Sequence, residues 1–317
     1  MGQNYSNKIE DYELFAKPWK PTSVESYADY QAMRYRYGKA YEISLSMLDR
    51  IASNPEIAMA IADGVGIYHY RAGHSFVQVW DDIKLTQLER RVAGRVIESL
   101  AYLEDVRDVV STAHDAHVEW DRQVEIETKG RQAEFGKIHE HDEAFFEMLA
   151  QIGHQAWHQV ISAVTPLQLA DEDSLTAWQL PVHLDETISQ TISGGVVDAI
   201  GISTRTGKTV LVDIKSNHYS IRRYADDGAP WNPKNQIQLL IYFIILSVFH
   251  VISDDCDVPQ PSVIAAINPV RGTVEYLSPE TLLAHRDVLR TLATKALCLN
   301  AELVDRLMEY LEEVLSD

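Results

Sequence analysis

The stretch GGVVDAIGISTRTGKTVLVDIKSN, residues 194–217, contains two candidate sites that exclude one another. Thr206-Gly207-Lys208-Thr209 has the ending of a phosphate-binding loop. That loop requires G-x-x-x-x-G-K-[ST] between a strand and a helix, so that backbone N–H groups and the helix N-terminus face the phosphates. The first glycine would fall at position 202, which is Ile202; Gly201 is one place away. After Lys208 comes TVLVDIK, a β-branched run without helical period. The spacing and the context both fail, and the stretch reads as two strands, 194–202 and 209–214, joined by a turn over 203–208.

Read as a hairpin, the same residues bring acids together. In a strand, residues i and i+2 share a face, so Asp213 and Lys215 project together while Ile214 points the other way. Asp198 can approach Asp213 across the pair. Two carboxylates with the backbone carbonyl between Asp213 and Lys215 make a hard, oxygen-rich site suited to Mg²⁺ or Mn²⁺. Such an ion lowers the pKa of a bound water and neutralises charge on a phosphodiester, and an adjacent ammonium offsets developing negative charge. The bland alternative is a surface hairpin carrying an i,i+2 Asp–Lys pair, which is common.

Working outward, residues 22–64 read as helical, and GVGIYHYRAGHSFVQVW, 64–80, reads as a hairpin about Arg71-Ala72-Gly73. A helix is expected from Lys84 to about Ala113. Residues 115–137 are charged without clean period and read as a connection. A helix over 139–164 carries the apolar stripe Phe145, Leu149, Ile152, Ala156, Val160 and Ala163. Strands follow over 177–192, 194–202 and 209–214, then a helix from Asn235 to Phe249, a strand beginning at Ser262, and two closing helices. From residue 139 onward the order is α, β, β, β, α, β, an α/β (mixed) fold class.

That order and its motifs resemble the PD-(D/E)XK nuclease superfamily, within it the RecB-like exonuclease branch. The residues that carry the resemblance are His158 on the 139–164 helix, Glu186, Gly195-Val196-Val197-Asp198, Asp213-Ile214-Lys215 and Gln238-Leu239-Leu240-Ile241-Tyr242. It covers about residues 139–270. It implies a restriction-endonuclease-like αβββαβ core in a domain over 136–317, and a metal-dependent DNA exonuclease activity. Asp198, Asp213 and the Ile214 carbonyl would bind Mg²⁺ or Mn²⁺, with His158 a further ligand. Lys215 would act on the attacking water, Glu186 would serve as the upstream acid, and Gln238 and Tyr242, at i and i+4 on one helix face, would support the site. Two features depart from the pattern. Asp213 stands where glutamate is commoner, and His158 follows Gly153 by five residues rather than four, with Trp157 at the expected place. His154 and His158, at i and i+4, also form a helical pair of zinc-ligand type.

Composition limits the partners. The chain is 46% hydrophobic and 24% charged, with a formal net charge of −19, which argues against a general nucleic-acid coat. Residues 205–234 invert that balance, with six Lys and Arg against three Asp. Arg222 and Arg223 in the loop after Lys215, with Lys234, are therefore the candidate DNA contacts. Two cysteines, Cys256 and Cys298, exclude a four-cysteine iron–sulfur cluster and suit a reducing cytoplasm. MGQNYSNKIEDYE has no basic region followed by an apolar one, so no secretory signal is expected. Gly2 with Ser6 matches the short myristoylation pattern, a weak signal. No apolar run reaches membrane-spanning length, and no ATP-binding motor is expected. Residues 1–135 are expected to form a mainly helical accessory region that governs substrate access or binds a protein partner; Tyr27, Tyr30, Arg34, Tyr35, Arg36, Tyr37, Lys39 and Tyr41 mix aromatics and bases there. The fitting roles are DNA repair or recombination, mobile-element processing and anti-phage defence. Two other readings stand beside the nuclease: a non-catalytic interaction scaffold on the same core, and an RNA- or nucleotide-directed hydrolase.

Overall fold

The computed structural model describes residues 51, 54, 68–107, 109–128, 137–166, 177–183, 194–216, 233–253 and 258–317. Glu186, Arg222, Arg223, the side chain of Lys234 and the helical reading of 22–64 lie outside the described residues. Strand β1 (Tyr68–Arg71) precedes helices α1 (Val77–Asp82), α2 (Gln87–Arg107), α3 (Ala113–Thr128) and α4 (Glu143–Ala163). There follow β2 (Val164–Pro166), β3 (Ala177–His183), β4 (Gly194–Ser203), β5 (Thr209–Ile214), α5 (Pro233–Ile252), β6 (Val263–Asn268) and β7 (Thr273–Leu277). Helices α6 (Pro279–Ala284) and α7 (Arg286–Thr291), a π-helical turn (Leu292–Ala296) and α8 (Ala301–Ser316) end the chain.

The fold is mixed α/β. One seven-stranded sheet has the order β1-β7-β6-β5-β4-β2, with β3 also paired to β4. Strand β4 is long enough to take β3 along its first part and β2 along its last. Only β5 and β6 are parallel, joined through α5, a crossover that parallel neighbours require. Both central strands are buried on two faces. Leu211, Ile264 and Ala266 pack beneath α5 and the closing helices. Val210, Val212, Ile214, Val263, Ala265 and Ile267 pack beneath α2, α3 and α4. This explains the near-continuous apolar reading of TVLVDI and VIAAIN. Helix α5 is apolar all round because it is covered on both sides, with Ile237, Leu239–Leu246 and Val248 buried.

Three local expectations are corrected. Residues 115–137 do not form only a connection, because 113–128 is helix; its buried positions, Ala116, Glu119, Trp120 and Gln123, keep helical spacing, but two are polar and mask the apolar period. The 64–80 hairpin is also absent. Its first strand, β1, pairs with β7, which the sequence reading missed, and 77–82 is helical. Ala72 N–H donates to the Gly272 carbonyl and Phe76 N–H to that of Val270, both at 2.7 Å, so the segment is tied to the distant β6–β7 turn. Strand β3 stops at His183 in the described part of 177–192. The described part of the accessory region thus gives an edge strand to the sheet and helices to the core beneath one face. The turn between β4 and β5 forms as read, with Ser203 N–H donating to the Lys208 carbonyl at 2.8 Å and Gly207 at φ +67°.

Helix α2 begins on a capping box: Glu89 N–H donates to Thr86 Oγ1 at 3.2 Å, and Thr86 N–H to Glu89 Oε2 at 2.7 Å. The other oxygen, Oε1, accepts the His139 N–H at 2.7 Å and meets His139 Nδ1 and His141 Nε2 at 2.9 and 3.2 Å. Burial pushes the Glu89 carboxyl up, but these bonds outweigh it and hold it below its ordinary value of 4.5. A carboxyl lowered in the folded state contributes stability that is full above about pH 4.5 and is lost as pH falls through the folded value. The stability gap between wild type and Glu89→Gln is therefore expected to narrow below that pH, as thermal melts across pH 3–7 would show. A constant gap would count against the latch.

Candidate functional site

Strands β4 and β5 pair in the register Ala199↔Val212, Ile200↔Leu211. Continued by one pair, that register sets Asp198 opposite Asp213. Both carboxylates are buried, 9% and 3% exposed, at the end of two strands whose apolar neighbours fix their direction. Asp198 Oδ2 accepts the Ile214 N–H at 2.6 Å, so the backbone between the second acid and the lysine is clamped by the first.

Lys215 leaves β5 with its N–H donating to the Ile267 carbonyl on β6 at 2.7 Å. Its Nζ lies 2.5 Å from Asp213 Oδ2 and donates to Gln238 Oε1 on α5 at 2.9 Å. Gln238 Nε2 in turn donates to the Tyr242 hydroxyl at 3.1 Å. The line Asp213–Lys215–Gln238–Tyr242 thus links the strand to one face of the helix. Apart from the Lys215 ion pair, Asp213 Oδ2 accepts no hydrogen bond among the described residues.

Burial raises Asp198 well above the ordinary carboxylate range, and the neighbouring Glu98 and Asp213 charges push the same way. Burial likewise raises Asp213, against the opposing pull of Lys215. Lys215 is held above its ordinary value: burial would lower it, but Asp213 and Asp198 outweigh that. The site is a buried cluster with more negative charge than its one ammonium offsets.

Helix α2 supplies what the sequence reading missed. Half-buried Glu98 acts electrostatically on Asp198, Asp213 and Lys215. One turn on, the Tyr102 hydroxyl donates to the Asp198 carbonyl at 3.2 Å. One turn back, a side chain at Gly94 would meet Ser216 Oγ at 2.7 Å, so glycine permits the close crossing. The signal in sequence was Gly94-x-x-x-Glu98-x-x-x-Tyr102, one helix face about a hundred residues upstream of the acids.

His158 is not brought to the pair by any hydrogen bond or ion pair among the described residues. It is exposed and stands edge-on to His154, ring centroids 4.2 Å apart, while His154 Nδ1 lies 2.7 Å from Glu104 Oε1. No three His, Cys, Asp or Glu side chains are grouped to hold a metal ion among the described residues. The protein donors at the hairpin are two carboxylates and a backbone carbonyl. Their hard oxygen chemistry, excess negative charge and the under-used Asp213 Oδ2 fit Mg²⁺ or Mn²⁺ with the remaining positions open to water or substrate. No helix among the described residues is long and apolar enough to cross a membrane.

Comparison of the chain with protein-family models, with curated proteins and with solved structures found no match.

Proposed function

We propose that the chain is a divalent-metal-dependent nuclease acting on DNA, with a restriction-endonuclease-like core of the RecB-like type. The observation that carries this reading is the buried pair Asp198 and Asp213, with Lys215 tied through Gln238 to Tyr242. Burying two acids and an ammonium at a strand end costs stability unless they do chemistry or bind a cation. The order α4, β3, β4, β5, α5, β6 agrees with the core that the resemblance implies.

Asp198, Asp213 and the Ile214 carbonyl would hold Mg²⁺ or Mn²⁺, which lowers the pKa of bound water and neutralises phosphate charge. Lys215 orients the attacking water and stabilises charge as it develops on the phosphate oxygens. Gln238 sets the ammonium's direction, and Tyr242 sets that of the Gln238 amide. Tyr102 and the Ile214 N–H keep Asp198 in place. The net reaction adds water across one P–O ester bond, leaving a phosphomonoester and a free hydroxyl. Glu186, Arg222, Arg223 and Lys234 keep the roles the resemblance and the local charge imply, as upstream acid and strand contacts. His158, exposed beside His154, is not assigned to the metal.

The test is cleavage of end-labelled linear and closed circular DNA with Mg²⁺ or Mn²⁺, and with a chelator. Cutting that needs the metal is expected, and sparing of the circle would define an exonuclease. The presence of only two grouped carboxylates favours one other reading, a non-catalytic scaffold. That reading predicts no cutting with either metal and no calorimetric heat of metal binding, and this result would overturn the nuclease.

A further inference from the structure

Arg91, Gly94, Arg95, Glu98 and Tyr102 follow the spacing i, i+3, i+4, i+7, i+11 and share one face of α2. Three of them show where that face looks. Gly94 abuts Ser216, Glu98 acts on the two acids and the lysine, and the Tyr102 hydroxyl bonds the Asp198 carbonyl. Arg91 and Arg95 continue the face toward the helix N-terminus, so Arg95, between Gly94 and Glu98, borders the site.

Both guanidinium groups are oriented by one acid. Arg91 Nη1 lies 3.2 Å from Glu127 Oε2, and Arg95 Nε lies 3.4 Å from Glu127 Oε1. The Glu127 side chain is 9% exposed, whereas those of the arginines are 31% and 29% exposed. Two cations on one carboxylate leave a local positive charge, beside an acidic centre and in a chain of net charge −19. A polyanion approaching two buried aspartates needs such a charge, and the planar fork of arginine matches phosphate oxygens.

We propose that Arg91 and Arg95, oriented by Glu127, form a phosphate-binding subsite at the border of the carboxylate pair. It takes a phosphate of the nucleic-acid strand, so it rests on the nucleic-acid reading above and places the strand along α2. A terminal phosphomonoester and an internal phosphodiester share this chemistry.

The test uses the full chain carrying Asp213→Asn, which separates binding from cutting. Fluorescence anisotropy would follow short, internally labelled single-stranded DNA with a 5′-phosphate, a 3′-phosphate or neither. Arg91→Ala and Arg95→Ala are each expected to weaken binding about tenfold or more and to lower the salt slope by about one. Loss confined to one phosphorylated probe assigns the subsite to a strand end, and equal loss on all probes assigns it to the backbone. The lysine variants Arg91→Lys and Arg95→Lys keep the charge and are expected to keep the slope while losing affinity. Glu127→Gln is expected to keep the salt slope. If the arginines serve only to join α2 to α3, all three positions will lower the Tm alike and leave Kd and slope unchanged, which overturns the subsite. A wild type that cuts DNA while binding is indifferent to both arginines overturns the subsite alone. A wild type that never cuts, with binding still dependent on them, overturns the nuclease alone.

Discussion

Asp213→Asn and Lys215→Ala are each expected to reduce metal-dependent cleavage by at least about 10²–10³-fold, the loss typical when one oriented charge-stabilising group leaves an active site. The two variants fail differently. Asp213 supplies an oxygen anion to the metal and also the ion pair that fixes Lys215. Its loss should abolish the calorimetric heat of Mg²⁺ or Mn²⁺ binding together with cutting. Lys215 touches Asp213 and Gln238 but is no ligand, so Lys215→Ala should retain metal and lose the chemical step. Tyr242→Phe, which removes only the hydroxyl that receives Gln238, should fall between these and wild type. Single-turnover rates and calorimetry on the same samples check all three, with thermal melts showing that each variant folds. Full activity in Lys215→Ala would remove the lysine from the mechanism.

The largest effect on stability is expected from Leu211→Ala, about 2–5 kcal/mol, the usual cost of emptying a buried leucine site. Leu211 is fully buried at the middle of β5, between β4 and β6, with the apolar body of α5 over it. Strands on both sides and a covered helix above leave little room for collapse into the void. The expected loss is a large share of the 5–15 kcal/mol by which a typical domain is stable. Because β5 carries Asp213 and Lys215, partial activity loss should track partial unfolding and recover on cooling. Denaturant melts of wild type and variant measure the difference. A cost below about 1 kcal/mol would mean that β5 is less constrained than its burial indicates.

The chemistry of the hairpin was legible because it is local. Strand alternation put Asp213 and Lys215 on one face, the turn residues put Asp198 across from them, and helical spacing put Gln238 and Tyr242 together. Each inference needs only the period of one element, and period is written in consecutive residues. The stripe of α4 was readable for the same reason, and its six members are all buried.

Helix α3 escaped because Glu119 and Gln123 are buried as polar residues, Glu119 meeting Arg122 and Gln123 at 2.7 Å. An apolar pattern cannot register a face that is satisfied by hydrogen bonds. Strands β1 and β7 escaped because each is short and gains its partner from the other end of the chain.

By itself, then, the sequence determined which residues each strand and helix turns toward a partner, and so the acidic, lysine-bearing hairpin. Which partner arrives was decided only by the tertiary structure. Periodicity encodes the direction of a side chain within its element, whereas the meeting of α2 with the end of β5 depends on packing between segments far apart in the chain. That packing brought Glu98, Tyr102, Arg91 and Arg95 to a site whose acids lie about a hundred residues away.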